Sequence, residues 1–144
     1  MEHQEDGRMV QASIERTVEW ADTDAAGHQH NSAIMRWVEA AEAELFRRLD
    51  LPDYFPSAPR VQQVVNYRAK LWFGQRIRAT VKVRKVGRTS MTFGFEVHGQ
   101  AHEKSGGGLA AYGTFTTAYV PAGADGARPW PEHMRAAIAG AVPA

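Results

Sequence analysis

From Ser13 the chain alternates. Ile14, Arg16, Val18 and Trp20 fall on one side, and Ser13, Glu15, Thr17 and Glu19 on the other. A period of two predicts a strand. Asp22 to Asn31 is made of polar and turn-forming residues and reads as a loop. From Ser32 to Leu49 the period changes, with Ile34, Val38, Ala41, Leu45 and Leu49 at helical spacing. Asn31 is the expected N-cap, with Ser32 next in line. Arg47 and Arg48 fall in the last turn, where cations suit the helix dipole, and Leu51-Pro52 ends the helix. Ala40, Ala41 and Ala43 leave the middle of this helix open to close approach. Four further strand patterns follow, around Val61–Tyr67, Ile77–Arg84, Met91–His98 and Leu109–Tyr119. Gly87-Arg88 forms a tight turn, Ser105 to Gly108 a looser connection, and a short helix is expected from Pro131. Strand, long helix, then four strands joined by hairpin-like connections is an α+β order, an antiparallel sheet packed on one helix. Such a sheet leaves edges to manage, and pairing edge to edge in a symmetric dimer does so economically.

Bulk properties narrow the functional classes. A chain of 144 residues with 44% apolar and 23% charged positions is an ordinary single-domain composition. Met1–Val10 reads as a flexible polar segment and residues 11–144 as one domain. A formal net charge of +1 gives no reason to expect nucleic acid or an anionic membrane as partner. There is no cysteine, which removes disulfides and thiolate chemistry. The first ten residues lack the apolar core of a signal peptide, and no apolar run approaches a membrane span, so a cytoplasmic protein is expected.

The informative stretch is Trp20-Ala-Asp-Thr-Asp-Ala-Ala-Gly-His-Gln-His-Asn31. It delivers carboxylates close to the start of the long helix, where unpaired N–H groups and the positive end of the dipole lie. An acid or base facing an oxyanion donor is the minimum equipment for acyl transfer. A thioester suits such a site. Its thiol leaving group, with a pKa of about 8.5 if cysteine-like, departs without a strong general acid. What remains is a base or nucleophile and a donor to the carbonyl oxygen. A carboxylate of this stretch can supply the first, either by activating water or by attacking directly. Gly27 lets the backbone turn tightly, and Gln29, His30 and Asn31 are placed to position water or the acyl head. Asp22 reads as a structural hydrogen-bonding residue. His28 and His30 with Asp22 or Asp24 lack a distant partner at ligand spacing, so no metal is expected. Gly106 to Gly108 does not lead a strand into a helix and is not a phosphate loop. Trp37 and Trp72 read as packing residues.

The run Glu19-Trp-Ala-Asp-Thr-Asp-Ala-Ala-Gly27, followed by Arg36-Trp37 and Glu39, resembles the hotdog-fold acyl-CoA thioesterases, nearest to the group named for 4-hydroxybenzoyl-CoA thioesterase. Tyr67-Arg-Ala-Lys-Leu-Trp-Phe-Gly74 and Val86-Gly-Arg-Thr-Ser-Met91 resemble further segments of that family, and the likeness covers roughly Ile14 to Val120. The resemblance implies a curved antiparallel sheet wrapped around one long central helix. It implies a homodimer or homotetramer with sites between protomers, and hydrolysis of acyl thioesters of coenzyme A or acyl carrier protein without a cofactor. By position it makes Asp24 the catalytic carboxylate and the Asn31 N–H the carbonyl-polarising donor, with His30 beside them. Gly27, His28 and Gln29 would line the substrate, and Arg88 would meet the nucleotide end of coenzyme A. The chain differs from many members in having His28-Gln29-His30-Asn31 where they carry an apolar pair and a tyrosine or histidine. The alternatives are a hydratase or dehydratase using His28 or His30 on the same fold, and a non-catalytic acyl-CoA binding module.

Overall fold

The alternating segments pair into a single sheet. The computed structural model describes residues 10–141. Five strands, β1 (Gln11–Thr17), β2 (Arg60–Tyr67), β3 (Arg76–Val86), β4 (Ser90–Gly99) and β5 (Gly108–Ala118), are antiparallel in the order β1-β3-β4-β5-β2. Helix α1 (Asn31–Arg48) lies against β1, β3 and β4, and helix α2 (Glu132–Ala141) follows the sheet. This is the expected α+β order. Of the N-terminal segment expected to be flexible, residues 1–9 lie outside the described residues. Val10 is buried, and its carbonyl accepts from the Val83 N–H at 2.8 Å.

Three details differ from the sequence expectation. β2 and β3 are not a hairpin: β2 pairs with β5 at the far edge, because the β3 edge is taken by β1. β1 ends at Thr17, so Trp20 does not share the buried side with Val18. It opens a 3-10 turn, Trp20–Asp22, and is 71% exposed. The alternation in β2 buries neither face, and Val61, Val64 and Tyr67 are all exposed. Helix α1 lies mainly against β1, β3 and β4, and its hydrogen bonds to this edge strand fall at the strand's two ends, Arg60 and Tyr67. Where β2 crosses Gly113, a Cβ on that residue would overlap the Val64 carbonyl, so only glycine lets the two strands pair there.

Helix α1 buries Ala33, Ile34, Trp37, Val38, Ala41, Leu45 and Phe46, the stripe its period predicts. It starts one residue earlier than expected. The N-cap is His30, not Asn31, and its Nδ1 accepts from the Ser32 N–H at 3.1 Å. At the other end the Leu51 N–H reaches the Phe46 carbonyl and the Asp50 N–H the Arg47 carbonyl, the paired bonds of a Schellman stop. Asp50 occupies the left-handed position with φ 57°, a conformation glycine adopts without penalty. Asp50→Gly is therefore expected to stabilise the fold by about 1 kcal/mol, measured by urea denaturation.

A charged group sits inside the core. Glu42 is 1% exposed. Its carboxylate accepts from Arg60 at 2.9 Å and from the Tyr54 hydroxyl at 3.0 Å, and Tyr54 also meets Thr117 at 3.0 Å. Arg60 lies over the Phe115 ring at 4.0 Å. Burial raises the Glu42 pKa above its ordinary value, with Arg60 pulling the other way. Removing Arg60 strands a buried charge, a change that costs about 3 kcal/mol. Arg60→Ala is expected to lose roughly that amount near pH 8. An acid whose folded-state pKa is raised is penalised above its unfolded value and relieved below it. The loss should therefore shrink as pH falls toward the ordinary 4.5, because the raised Glu42 carboxyl takes up its proton above that value. A loss independent of pH in parallel denaturation series would contradict this pairing.

Candidate active site

The loop ahead of α1 is held from several directions, and Asp22 is its anchor. This residue is buried. Its Oδ2 accepts from the Glu19 N–H at 2.8 Å, its Oδ1 takes Arg36 Nη1 at 2.9 Å, and its carbonyl accepts from the His30 N–H at 2.7 Å. The structural role expected of Asp22 is thus its observed one. Beyond it, Thr23 bridges Gln29, and the Asp24 N–H donates to the His28 carbonyl at 3.0 Å. The Gly27 N–H returns to the Asp24 carbonyl at 3.0 Å, and Gly27 turns at φ 90°, a left-handed position that favours glycine. Asp24 itself is exposed at the tip of this turn. Its Oδ1 accepts from the Ala26 N–H at 2.8 Å, an Asx turn that fixes the carboxylate. Among the described residues, Oδ2 has no hydrogen-bond partner.

The second half of the loop is braced by the segment between β2 and β3. His28 bridges Trp72 and meets its ring edge to face at 5.6 Å. Its Nδ1 is buried without a partner. Gln29 is buried. Its N–H donates to the Leu71 carbonyl at 2.8 Å, and its Oε1 accepts from the Leu71 N–H at 2.6 Å. That oxygen therefore serves the scaffold rather than an open surface. The brace is itself tied down. Gln75, 1% exposed, accepts from the Trp72 N–H at 2.9 Å and donates to the Gln100 carbonyl at 2.7 Å.

His30 and Asn31 begin the helix. Because His30 Nδ1 accepts from the Ser32 N–H, the ring carries its proton on Nε2, and only that nitrogen remains outward. Asn31 is the first helical residue. Among the described residues, nothing accepts from its backbone N–H, as for the opening donors of any helix. The Tyr67 hydroxyl, at the end of β2, donates to the Asn31 carbonyl at 3.3 Å. Asp24, Gly27, His28, Gln29, His30 and Asn31 therefore share one braced loop. Arg88 is elsewhere. It is exposed in the β3–β4 turn, beyond the end of β3 opposite the one the Trp72 brace enters, and eleven residues of strand span roughly 35 Å. Among the described residues, no three acidic or histidine side chains converge as metal ligands.

Sequence reasoning missed the brace and an aromatic pair. Gln75 has no local signal, since its partner Gln100 lies on another hairpin. Trp20 and Phe73, both exposed, meet edge to face at 5.6 Å beside the loop. Two large aromatics flanking the acidic motif and the Gly74 turn were the available clue.

The fold has known counterparts. A predicted thioesterase from Bacillus stearothermophilus superposes with a TM-score of 0.79 at 24% identity, over 92% of this chain and 96% of that one. A thioesterase from Thermus thermophilus, complexed with coenzyme A and zinc, gives 0.78 at 23% over 90% and 92%. A 1,4-dihydroxy-2-naphthoyl-CoA thioesterase from Synechocystis gives 0.76 at 18% over 89% and 95%. These likenesses show the hotdog fold. No curated protein sequence matches significantly. The family model of the thioesterase-like superfamily matches residues 18–138, a span that holds the Asp24 loop, α1 and all the later strands. The chain therefore belongs to the thioesterase-like superfamily, and with it to the thioester hydrolases.

Proposed function

We propose that the protein hydrolyses an acyl-CoA thioester, with Asp24 as base or nucleophile and the Asn31 N–H as donor to the carbonyl oxygen. One observation carries the reading. A single braced loop presents a carboxylate with one oxygen held and, among the described residues, the other free, and it ends in a helix whose first N–H has no partner among them. In hydrolysis, Asp24 takes a proton from water as it attacks the carbonyl carbon, or attacks itself to form a mixed anhydride that water then opens. Negative charge gathers on the carbonyl oxygen, which the Asn31 N–H and the helix dipole stabilise. Collapse expels the thiolate of coenzyme A.

The separation of Arg88 from Asp24 supports a homodimer as the working unit. A thioester reacting at Asp24 of one chain meets an Arg88 most directly from a second copy. The open β2 edge, with exposed Val61, Val64 and Tyr67, offers such a copy a strand to pair with.

The test is a panel of saturated, aromatic and enoyl acyl-CoA esters followed by free-thiol detection and by loss of the enoyl absorbance. At least one ester should release coenzyme A catalytically. Hydration of an enoyl-CoA without thiol release would instead favour the hydratase reading through His28 or His30. Thermal stabilisation by acyl-CoA with no product would favour a binding module.

A further inference from the structure

The β3–β4 turn that carries Arg88 is not self-supporting. The Gly87 N–H donates to the Ser90 carbonyl at 2.8 Å. The bond that normally comes back, from Ser90 N–H to the Gly87 carbonyl, is not made. That carbonyl accepts from Arg135 Nη2 on α2 at 2.9 Å instead. Neither Arg88 nor Thr89 has a positive φ, so this two-residue connection lacks the primed turn geometry that matches strand twist. Support comes from outside. The Arg88 carbonyl accepts from the Trp130 N–H at 3.0 Å and the Thr89 carbonyl from the Tyr119 N–H at 3.0 Å. Three successive carbonyls, from Gly87 to Thr89, are thereby bonded to the C-terminal half of the chain, and the Ser90 carbonyl is taken by the Gly87 N–H. The Arg88 side chain is left exposed, and among the described residues its guanidinium has no partner.

The clamp is rigid. Trp130 is buried between Tyr54 and Tyr119, at ring distances of 6.1 and 5.4 Å, and Met134 and Ile138 anchor α2 in the core. A turn whose carbonyl oxygens are all occupied by N–H donors presents an incoming anion with a guanidinium and no free acceptor beside it. We infer that the C-terminal segment, through Arg135 and Trp130, is the positioning element that holds Arg88 ready for the phosphate groups of the coenzyme A thioester. This rests on the reading of Arg88 as the nucleotide contact. Arg135 touches no substrate and acts through the Gly87 carbonyl.

The experiment compares Arg135→Ala, Arg135→Lys and Arg88→Ala in the full chain. Each variant is assayed on an acyl-CoA and on the same acyl group carried by N-acetylcysteamine, which has no phosphate. Arg135→Ala is expected to raise KM for the acyl-CoA about fivefold or more at unchanged kcat, while kcat/KM for the truncated thioester stays put. Arg135→Lys, which keeps a donor to the Gly87 carbonyl, should recover most of the loss. A parallel fall on both thioesters, or a lysine variant no better than alanine, would overturn the positioning role. If Arg88→Ala raises KM for acyl-CoA and Arg135→Ala does not, the inference fails while the reading of Arg88 stands. If Arg88→Ala leaves KM for acyl-CoA unchanged, that reading falls, and the inference falls with it.

Discussion

Asp24→Asn is expected to cut kcat on an acyl-CoA by about 10²–10⁴ while leaving the melting temperature nearly unchanged. The two halves of this prediction come from the two oxygens of one side chain. Oδ1 caps the Ala26 N–H, and an asparagine carbonyl oxygen can do the same, so the turn survives. The other oxygen becomes an amide nitrogen, which can neither accept a proton from water nor attack a carbonyl. Asp24→Ala should add a loss of stability of about 1 kcal/mol, because the Asx turn also goes. Asp22→Asn makes the useful contrast. Asp22 is buried and bonded to Glu19 and Arg36, so its neutral replacement should disturb folding first and turnover only in consequence. If Asp24→Asn instead turned over at the parent rate in a correctly folded protein, the carboxylate would have no chemical role. The motif would then be a capping loop.

How much of this was legible beforehand depends on the range over which each residue finds its partners. α1 was readable because its signals are local: the apolar stripe, the basic last turn and Leu51-Pro52 all lie within or next to the helix. β3 and β4 were readable for the same reason, since each buries one face. β2 misled because its alternation implies a covered face that a single chain does not have, and because its partner β5 lies some fifty residues downstream. In the site, the acidic motif and the helix start are contiguous in sequence, so their association was visible. What fixes them was not. Gln29 looked like a residue for substrate and is occupied by Leu71, forty-two positions away. Asn31 looked like the cap, but His30 caps through a ring nitrogen, a less common choice than an asparagine or serine oxygen. The displacement matters chemically. With the cap at His30, Asn31 becomes the first helical residue and its N–H is released from any intramolecular duty.

That free N–H offers the sharpest test of the account, because a backbone donor can be deleted here without breaking the helix. Proline is well suited to the first helical position, where its missing N–H would have had no helical partner. The residue before it must be extended, and His30 already is, at φ −73° and ψ 148°. Asn31→Pro should therefore fold like the parent, as should Asn31→Ala, which loses the same side chain but keeps the donor. The decisive measurement is kcat for these two variants on a competent acyl-CoA. The alanine variant is expected to stay close to the parent while the proline variant falls by about 10²–10³, the usual cost of losing one oxyanion donor. Equal turnover by the two folded variants would contradict it.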